Sequence, residues 1–379
     1  MSNSAPKSPP SSAGPQIHKV VLEDLRSGDL RRSLRRDFRE LYDFYIDEEK
    51  RTRLAAMGRV QRWFFVAWWL VRGMILKLTP VRRLMLLLAF VLLIIGPDLL
   101  LRTGRQPDGE GLFFSVNFPS IAFVLVFVIL MLELKDKLLA HDELKAGRVV
   151  QLALLPTEQP RLSGWTVELF TRPANDVGGD LVDHMGVRDG RLGVVLADVA
   201  GKGLAAALLM AKLQATVRAL APEPESLAEL AARVNRIIHR DGLSNRFATL
   251  IYFELSPDSG LVRMVNAGHI PPVVLRHAGV EKLGPTSLPL GIRDDENFVE
   301  QRLELAPGEA LLAFSDGLTE ARNAAGEFFG ERKLDEAFPL LRGLAPDAVA
   351  RWLVAEVERF AGERRLDDDL SLVVLRRSN

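Results

Sequence analysis

The sequence predicts an α+β fold with a double sheet, preceded by a helical membrane hairpin. Three observations predict it. From Gly164 onward, short apolar runs bounded by turn residues are interspersed with two clusters of amphipathic helices. Between Leu84 and Leu132, two long apolar stretches flank a short polar segment. Mean hydropathy is slightly positive although 26% of residues are charged, which suits a membrane segment beside an ordinary globular domain.

At 379 residues there is room for about two domains. The 49 basic and 49 acidic residues cancel, so no global polyelectrolyte partner is implied and no nucleic acid is expected. The chain has no cysteine, which excludes disulfides, thiolate metal sites and cysteine nucleophiles together.

Residues 1–16 are Ser/Pro-rich, cannot bury a core and are expected to be a disordered tail. Residues 17–80 are read as cytoplasmic and interfacial helices. Leu30, Leu34, Phe38, Leu41 and Tyr45 make one apolar stripe, and Arg31, Arg32, Arg35 and Arg36 make the opposite face basic. That pattern suits a membrane surface or a partner. Trp63–Leu78 is apolar but broken by Arg72 and Lys77, and its tryptophans favour the headgroup layer, so it reads as an interfacial helix rather than a third span.

Residues 84–132 are read as a two-span transmembrane hairpin: Leu84–Leu101, a polar turn over Arg102–Gly111, and Leu112–Leu132. Arg72, Lys77, Arg82 and Arg83 precede the pair, and Lys135 and Lys137 follow it. The positive-inside rule then puts both ends in the cytoplasm, with a multi-pass anchor in the inner membrane. Residues 133–157 continue as a helical linker that Pro156 and Pro160 end. Its heptad starts at Leu134 and Leu138 and is broken by His141 and Lys145, which admits a homodimer without requiring one.

Residues 158–379 form the globular domain. Strands are expected at Thr166–Thr171, Leu192–Ala197, Phe247–Leu255, Leu261–Ala267, Pro272–Arg276, Gln301–Leu305, Ala310–Phe314 and Leu370–Leu375. Helices are expected at Leu204–Leu220, Leu227–Arg240, Glu331–Phe338 and Pro346–Phe360.

The chemistry centres on Asn175–Met210. Asp180 and Asp198 stand at strand ends beside glycines, joined through a turn at Asp189–Gly190. Antiparallel pairing would set the two carboxylates close together, where they repel unless a cation lies between them. A surface hairpin with solvated aspartates is the plain alternative.

Asp176-Val177-Gly178-Gly179-Asp180 and Ala197-Asp198-Val199-Ala200-Gly201-Lys202-Gly203 open an ordered set of motifs. Asn266-Ala267-Gly268-His269 with Pro271-Pro272 follows, then Leu288-Pro289-Leu290-Gly291. Phe314-Ser315-Asp316-Gly317-Leu318-Thr319-Glu320 and Asp368-Asp369-Leu370-Ser371 complete it. From about Gly147 to the C-terminus the chain resembles the PP2C-like (PPM) serine/threonine phosphatases of the bacterial SpoIIE/RsbU group. The resemblance implies an α/β/β/α sandwich and two Mn²⁺ or Mg²⁺ ions. It makes Asp198 the bridging ligand, the Val199 carbonyl a backbone ligand, Asp180 a ligand of the second ion, and Asp316 and Asp368 the late ligands. These four aspartates are then the catalytic set. Oxygen donors of this kind select such ions over zinc or copper.

The resemblance implies a phosphorylated protein substrate, such as an anti-sigma-factor antagonist. His269 is read as structural, holding a loop near the site, with a catalytic role as the alternative; Arg246 is read as structural or substrate-facing, and Lys202 as solvated or phosphate-contacting. Eukaryotic members carry a histidine after the first metal aspartate; Ala200 and Lys202 stand in that region here, which leaves the general acid unassigned. A non-catalytic partner-binding scaffold is the second reading. A nucleotide or phosphodiester hydrolase is the third, disfavoured by the lack of a GxxxxGK[ST] loop.

Overall fold

The computed structural model describes residues 54, 57–95, 98–103, 112–223, 225–241, 246–284 and 287–378. The expected tail at 1–16 and the basic helix from Leu30 lie outside them, apart from the latter's final residues. The chain divides into two compact units, Met1–Asp136 and Lys137–Asn379.

In the first unit, α1 spans Arg59–Lys77 and α2 spans Pro80–Ile95. β1 (Asp98–Thr103) then pairs antiparallel with β2 (Leu112–Asn117), and α3 runs Phe118–Leu154, its residues from Lys137 onward belonging to the second unit. The two-span reading of 84–132 is corrected here. Its first span stops as a helix at Ile95, and the residues from Asp98 to Thr103 form a strand. Its second span begins as a strand too and becomes helix only at Phe118. Pro97 has no N–H for a helical bond and clashes with the preceding turn, so the helix ends before it. Asn117 then starts α3, its side-chain oxygen accepting the Ser120 N–H at 2.9 Å. Among the described residues one helix, α3, is long and apolar enough to cross a membrane, and little of its apolar stretch is buried. A multi-pass arrangement is not supported. Arg82 on α2 holds Glu133 and Asp136 on α3 at 2.5 and 2.6 Å.

The second unit is a four-layer α/β/β/α sandwich. One sheet has the order β10-β9-β12-β13-β4-β3: Val280–Lys282, Val273–Leu275, Ala310–Phe314, Leu370–Arg377, Trp165–Arg172 and Arg161–Leu162. The other has the order β11-β8-β7-β6-β5: Glu300–Glu304, Leu261–Ala267, Ala248–Leu255, Leu192–Val199 and Asp180–Gly186. All neighbours are antiparallel.

β6 shows why the layers form. Its run is apolar without alternation because both faces are covered. Val194 and Leu196 meet Val167, Leu169 and Val373 of the other sheet. Val195, Ala197 and Val199 meet α4 (Leu204–Leu220) and α5 (Leu227–Asp241). On the far side, α7 (Gly330–Leu341) and α8 (Pro346–Ala361) pack on Leu312, Phe314, Leu372 and Val374. The short α6, Gly317–Glu320, follows β12 directly.

Two glutamines at the end of the linker bind backbone rather than side chains. Gln151 on α3 donates to the Gly178 carbonyl at 2.7 Å and accepts the Gly178 N–H at 3.0 Å. Gln159 does the same to Leu169 on β4, at 3.0 and 2.9 Å. Asp183 on β5 is fully buried and accepts two bonds from Arg218 at 2.6 Å and one from Gln214 at 2.9 Å. Gln214 also donates to the Leu154 carbonyl at 2.6 Å, so the linker's last turn, β5 and α4 share one network.

Candidate metal centre

The β5–β6 hairpin sets the register of the centre. Asp180 opens β5 and lies directly opposite Asp198 near the end of β6. Residues facing each other in an antiparallel pair stand about 5 Å apart, so the two carboxylates share one end of the sheet. Asp316 follows β12 and Asp368 precedes β13, and these two strands are paired in the opposite sheet. Val199, whose carbonyl was expected to serve as a ligand, closes β6 beside Asp198; a Cβ on Gly179 would come within 3.0 Å of that carbonyl.

Asp369 ties the loops together. Its carboxylate accepts the N–H groups of Ala174 at 2.8 Å, Gly179 at 2.6 Å and Asp180 at 3.3 Å. Its own N–H donates to Asp368 at 2.9 Å. The approach leaves no room for side chains: a Cβ on Gly178 would lie 2.3 Å from the Asp369 carboxylate, and one on Gly317 would lie 2.0 Å from its carbonyl. Sequence reasoning passed over Asp369, taking Asp368 from the same acidic run. Gly178 and Gly317 were the available signal, since each marks a place where something must come close. Sequence reasoning also missed Gln151.

Lys202 is exposed but not free. Its ammonium pairs with Asp368 at 2.9 Å and donates to the Asp367 carbonyl at 2.6 Å. His269 is buried and donates or accepts at Thr249 Oγ1 over 2.9 Å, while Asn266 bonds both its N–H and its carbonyl. Burial pushes its pKa down to about 4, so it is neutral at pH 7 and holds the loop under the Asp198 strand.

The charges are coupled. Burial, then Asp198, pushes the Asp180 carboxyl well above the usual carboxylate range, and its Oδ2 is buried without a hydrogen-bond partner. Burial, then Asp316 and Asp368, raises Asp198 to about 7, with Lys202 opposing. Burial, then Asp368, raises Asp316 to about 6. Among the described residues, no three acidic or histidine side chains are drawn into a closed ligand set. The carboxylates instead stand apart and repel.

A divalent cation fits this donor set. Oxygen donors are hard, Asp180 Oδ2 lacks a partner, and burial, followed by neighbouring carboxylates, raises the pKa of Asp180 and Asp198, a penalty on their charged forms that a cation would relieve. The sign of the pH effect follows. Asp198 and Asp316 must lose protons to bind a cation, so Mn²⁺ affinity should weaken as pH falls from about 7 toward 5. Calorimetric titration across that range checks it, and a flat profile would remove Asp198 and Asp316 from the ligand set.

A family model described as stage II sporulation protein E (SpoIIE) matches residues 188–378, half of the chain. The chain belongs to the SpoIIE family. Among relatives of this SpoIIE-family chain, protein IcfG of Synechocystis is 28% identical over 222 residues, 51% of this chain and 35% of IcfG. Phosphoserine phosphatase RsbU of Bacillus subtilis is 26% identical over 244 residues, 62% of this chain and 70% of RsbU. The SpoIIE-family chain therefore spans about a third of the length of IcfG. The SiaA-PP2C domain of Pseudomonas aeruginosa superposes with a TM-score of 0.54 at 20% identity, covering 64% of this chain and 98% of that domain. The SpoIIE-family fold seen here is thus PP2C-like.

Proposed function

We propose that the protein is a membrane-associated, metal-dependent phosphoserine/phosphothreonine phosphatase acting on a phosphorylated regulatory protein of the partner-switching kind, such as an anti-sigma-factor antagonist. The supporting observation is that Asp198, set opposite Asp180 in the sheet, lies within electrostatic range of Asp316 and Asp368 from two paired strands of the other sheet, with one buried carboxylate oxygen of Asp180 unpaired. The naming of RsbU as a phosphoserine phosphatase supports the reaction class.

Asp180, Asp198, the Val199 carbonyl, Asp316 and Asp368 would hold two Mn²⁺ or Mg²⁺ ions. Such a pair supplies a hydroxide nucleophile at neutral pH and offsets charge on the phosphoryl group. The chain's own part is to fix the carboxylates: Asp369 pins the Asp180 loop, Thr249 and His269 pin the Asp198 strand, and Lys202 joins the Asp198 and Asp368 loops. The exposed apolar faces of α2 and α3, among them Leu87, Phe90, Phe123 and Phe127, support membrane attachment, and the basic residues Lys135 and Lys137 beside the apolar stretch of α3 support a cytoplasmic catalytic unit.

The test is Mn²⁺-dependent phosphate release from phosphoserine and phosphothreonine peptides by residues 137–379. No release at any divalent concentration would leave the non-catalytic scaffold as the reading.

The linker is proposed to set the activity. Gln151 grips Gly178, two residues before Asp180, and His141 pairs with Asp176 in the same loop. Rotating the linker helix, for instance within a homodimer, would pull on the loop that carries Asp180. Gln151→Ala should change turnover about fivefold or more, the low end of typical coupling between sites. Insertions of one to four residues between Lys137 and Gly147 should change it periodically. Unaltered turnover across the insertion series would make the linker a passive tether.

A further inference from the structure

Arg246 lies two residues before β7 and reaches over the loop that follows Asp198. Its Nη1 donates to the Ala200 carbonyl across 3.4 Å, a long bond to a neutral acceptor. A Cβ on Gly201 would stand 2.7 Å from the same nitrogen, so the guanidinium fills the space that this glycine leaves. Gly201 has φ +109°, which suits glycine for a second reason. Among the described residues no carboxylate pairs with Arg246.

Lys202, one residue beyond Gly201, is different. Both of its contacts are inside the protein, to Asp368 and to the Asp367 carbonyl. A guanidinium offers five N–H donors in a planar fork, and a half-buried one held by a single long bond to a carbonyl is an incomplete pairing. The groups around the loop are otherwise acidic: Asp198, Asp316, Asp368 and Asp369. A phosphate dianion entering here needs positive charge not already committed to a carboxylate, and Arg246 supplies it.

We propose that Arg246 receives the non-bridging oxygens of the substrate's phosphoryl group, and of inorganic phosphate after hydrolysis, at the edge of the Asp198 loop. This rests on the phosphatase reading. The fork geometry gives two parallel N–H···O bonds to one phosphoryl group, which a lysine cannot reproduce. The contact forms with substrate and product alike, so it acts on binding more than on the chemical step.

The experiment uses the full chain in detergent, loaded with Mn²⁺. Arg246→Met should raise KM for a phosphopeptide roughly tenfold or more, with kcat within about threefold, because a charge-assisted pair of bonds is lost. Affinity for inorganic phosphate, measured by calorimetry, should fall in parallel. Arg246→Lys should recover part of both, and Arg246→Gln neither. Thermal unfolding of each variant checks the fold; if Arg246→Met does not fold, the Lys and Gln pair decides.

Equal phosphate affinity in wild type and variants overturns the proposal, as does a fall in kcat with KM and phosphate affinity unchanged. Failure of wild type to bind phosphate overturns it as well. Wild type that binds phosphate through Arg246 yet releases none from phosphopeptides would retain this subsite and refute the phosphatase reading instead.

Discussion

Asp198→Asn should lower Mn²⁺-dependent phosphate release by on the order of 10³-fold while the protein remains folded. The residue faces Asp180 across the β5–β6 pair and feels Asp316 and Asp368 from the opposite sheet. Removing its charge takes away the carboxylate shared by the cation site. It also relieves repulsion inside the cluster, so the metal-free variant should melt at or above the wild-type temperature. The two effects have opposite signs, which separates lost chemistry from lost structure. Asp316→Asn should act in the same direction. Turnover within tenfold of wild type by either variant would refute the site.

Asp369→Ala should do the reverse and damage the fold itself. The carboxylate accepts three backbone N–H groups, from Ala174, Gly179 and Asp180. Leaving a buried donor without an acceptor costs about 1–3 kcal/mol, so about 3–9 kcal/mol is expected for the three before any offset. Relief of repulsion with Asp180 and Asp198 offsets part of this, but Asp369 is not the leading contributor to either shift. The orphaned donors win, and the melting temperature should fall by roughly 10 °C. Mn²⁺ affinity should drop with it, because Gly179 and Asp180 lose their anchor. An unchanged melting temperature would show that the loop holds without Asp369.

The sheets and helices of the second unit were legible because each signal was local. β8 and β12 run Leu261–Ala267 and Ala310–Phe314 as expected, and α4 runs Leu204–Leu220 as expected. The segments around Leu99–Leu101 and Leu112–Val116 were misread for a physical reason. A short apolar run has the same composition in a membrane helix and in a strand, and only pairing partners distinguish them.

Asp198 and Asp368 are 170 positions apart in the chain and come within electrostatic range only through strand order, which local patterning does not encode. The motif resemblance brought them together, and the sheet register of Asp180 with Asp198 agrees with it. The division of labour between Asp368 and Asp369 stayed hidden. Neighbours in one acidic run turn opposite ways, one toward Lys202 and one into the backbone of the next loop. Arg246 was noticed, but that no carboxylate among the described residues pairs with it is a property of the folded loop.

The paired carboxamide bonds of Gln151 and Gln159 have a consequence for how the linker responds to its surroundings. A carboxamide carries no net charge and does not titrate in the physiological range. The grip on Gly178 and Leu169 is therefore indifferent to ionic strength and to acidification. What can loosen the grip is mechanical: a turn of the helix, or a competing donor and acceptor offered together by another peptide group. In the proposed role of the linker, a joint built in this way would transmit torque whatever the composition of the buffer.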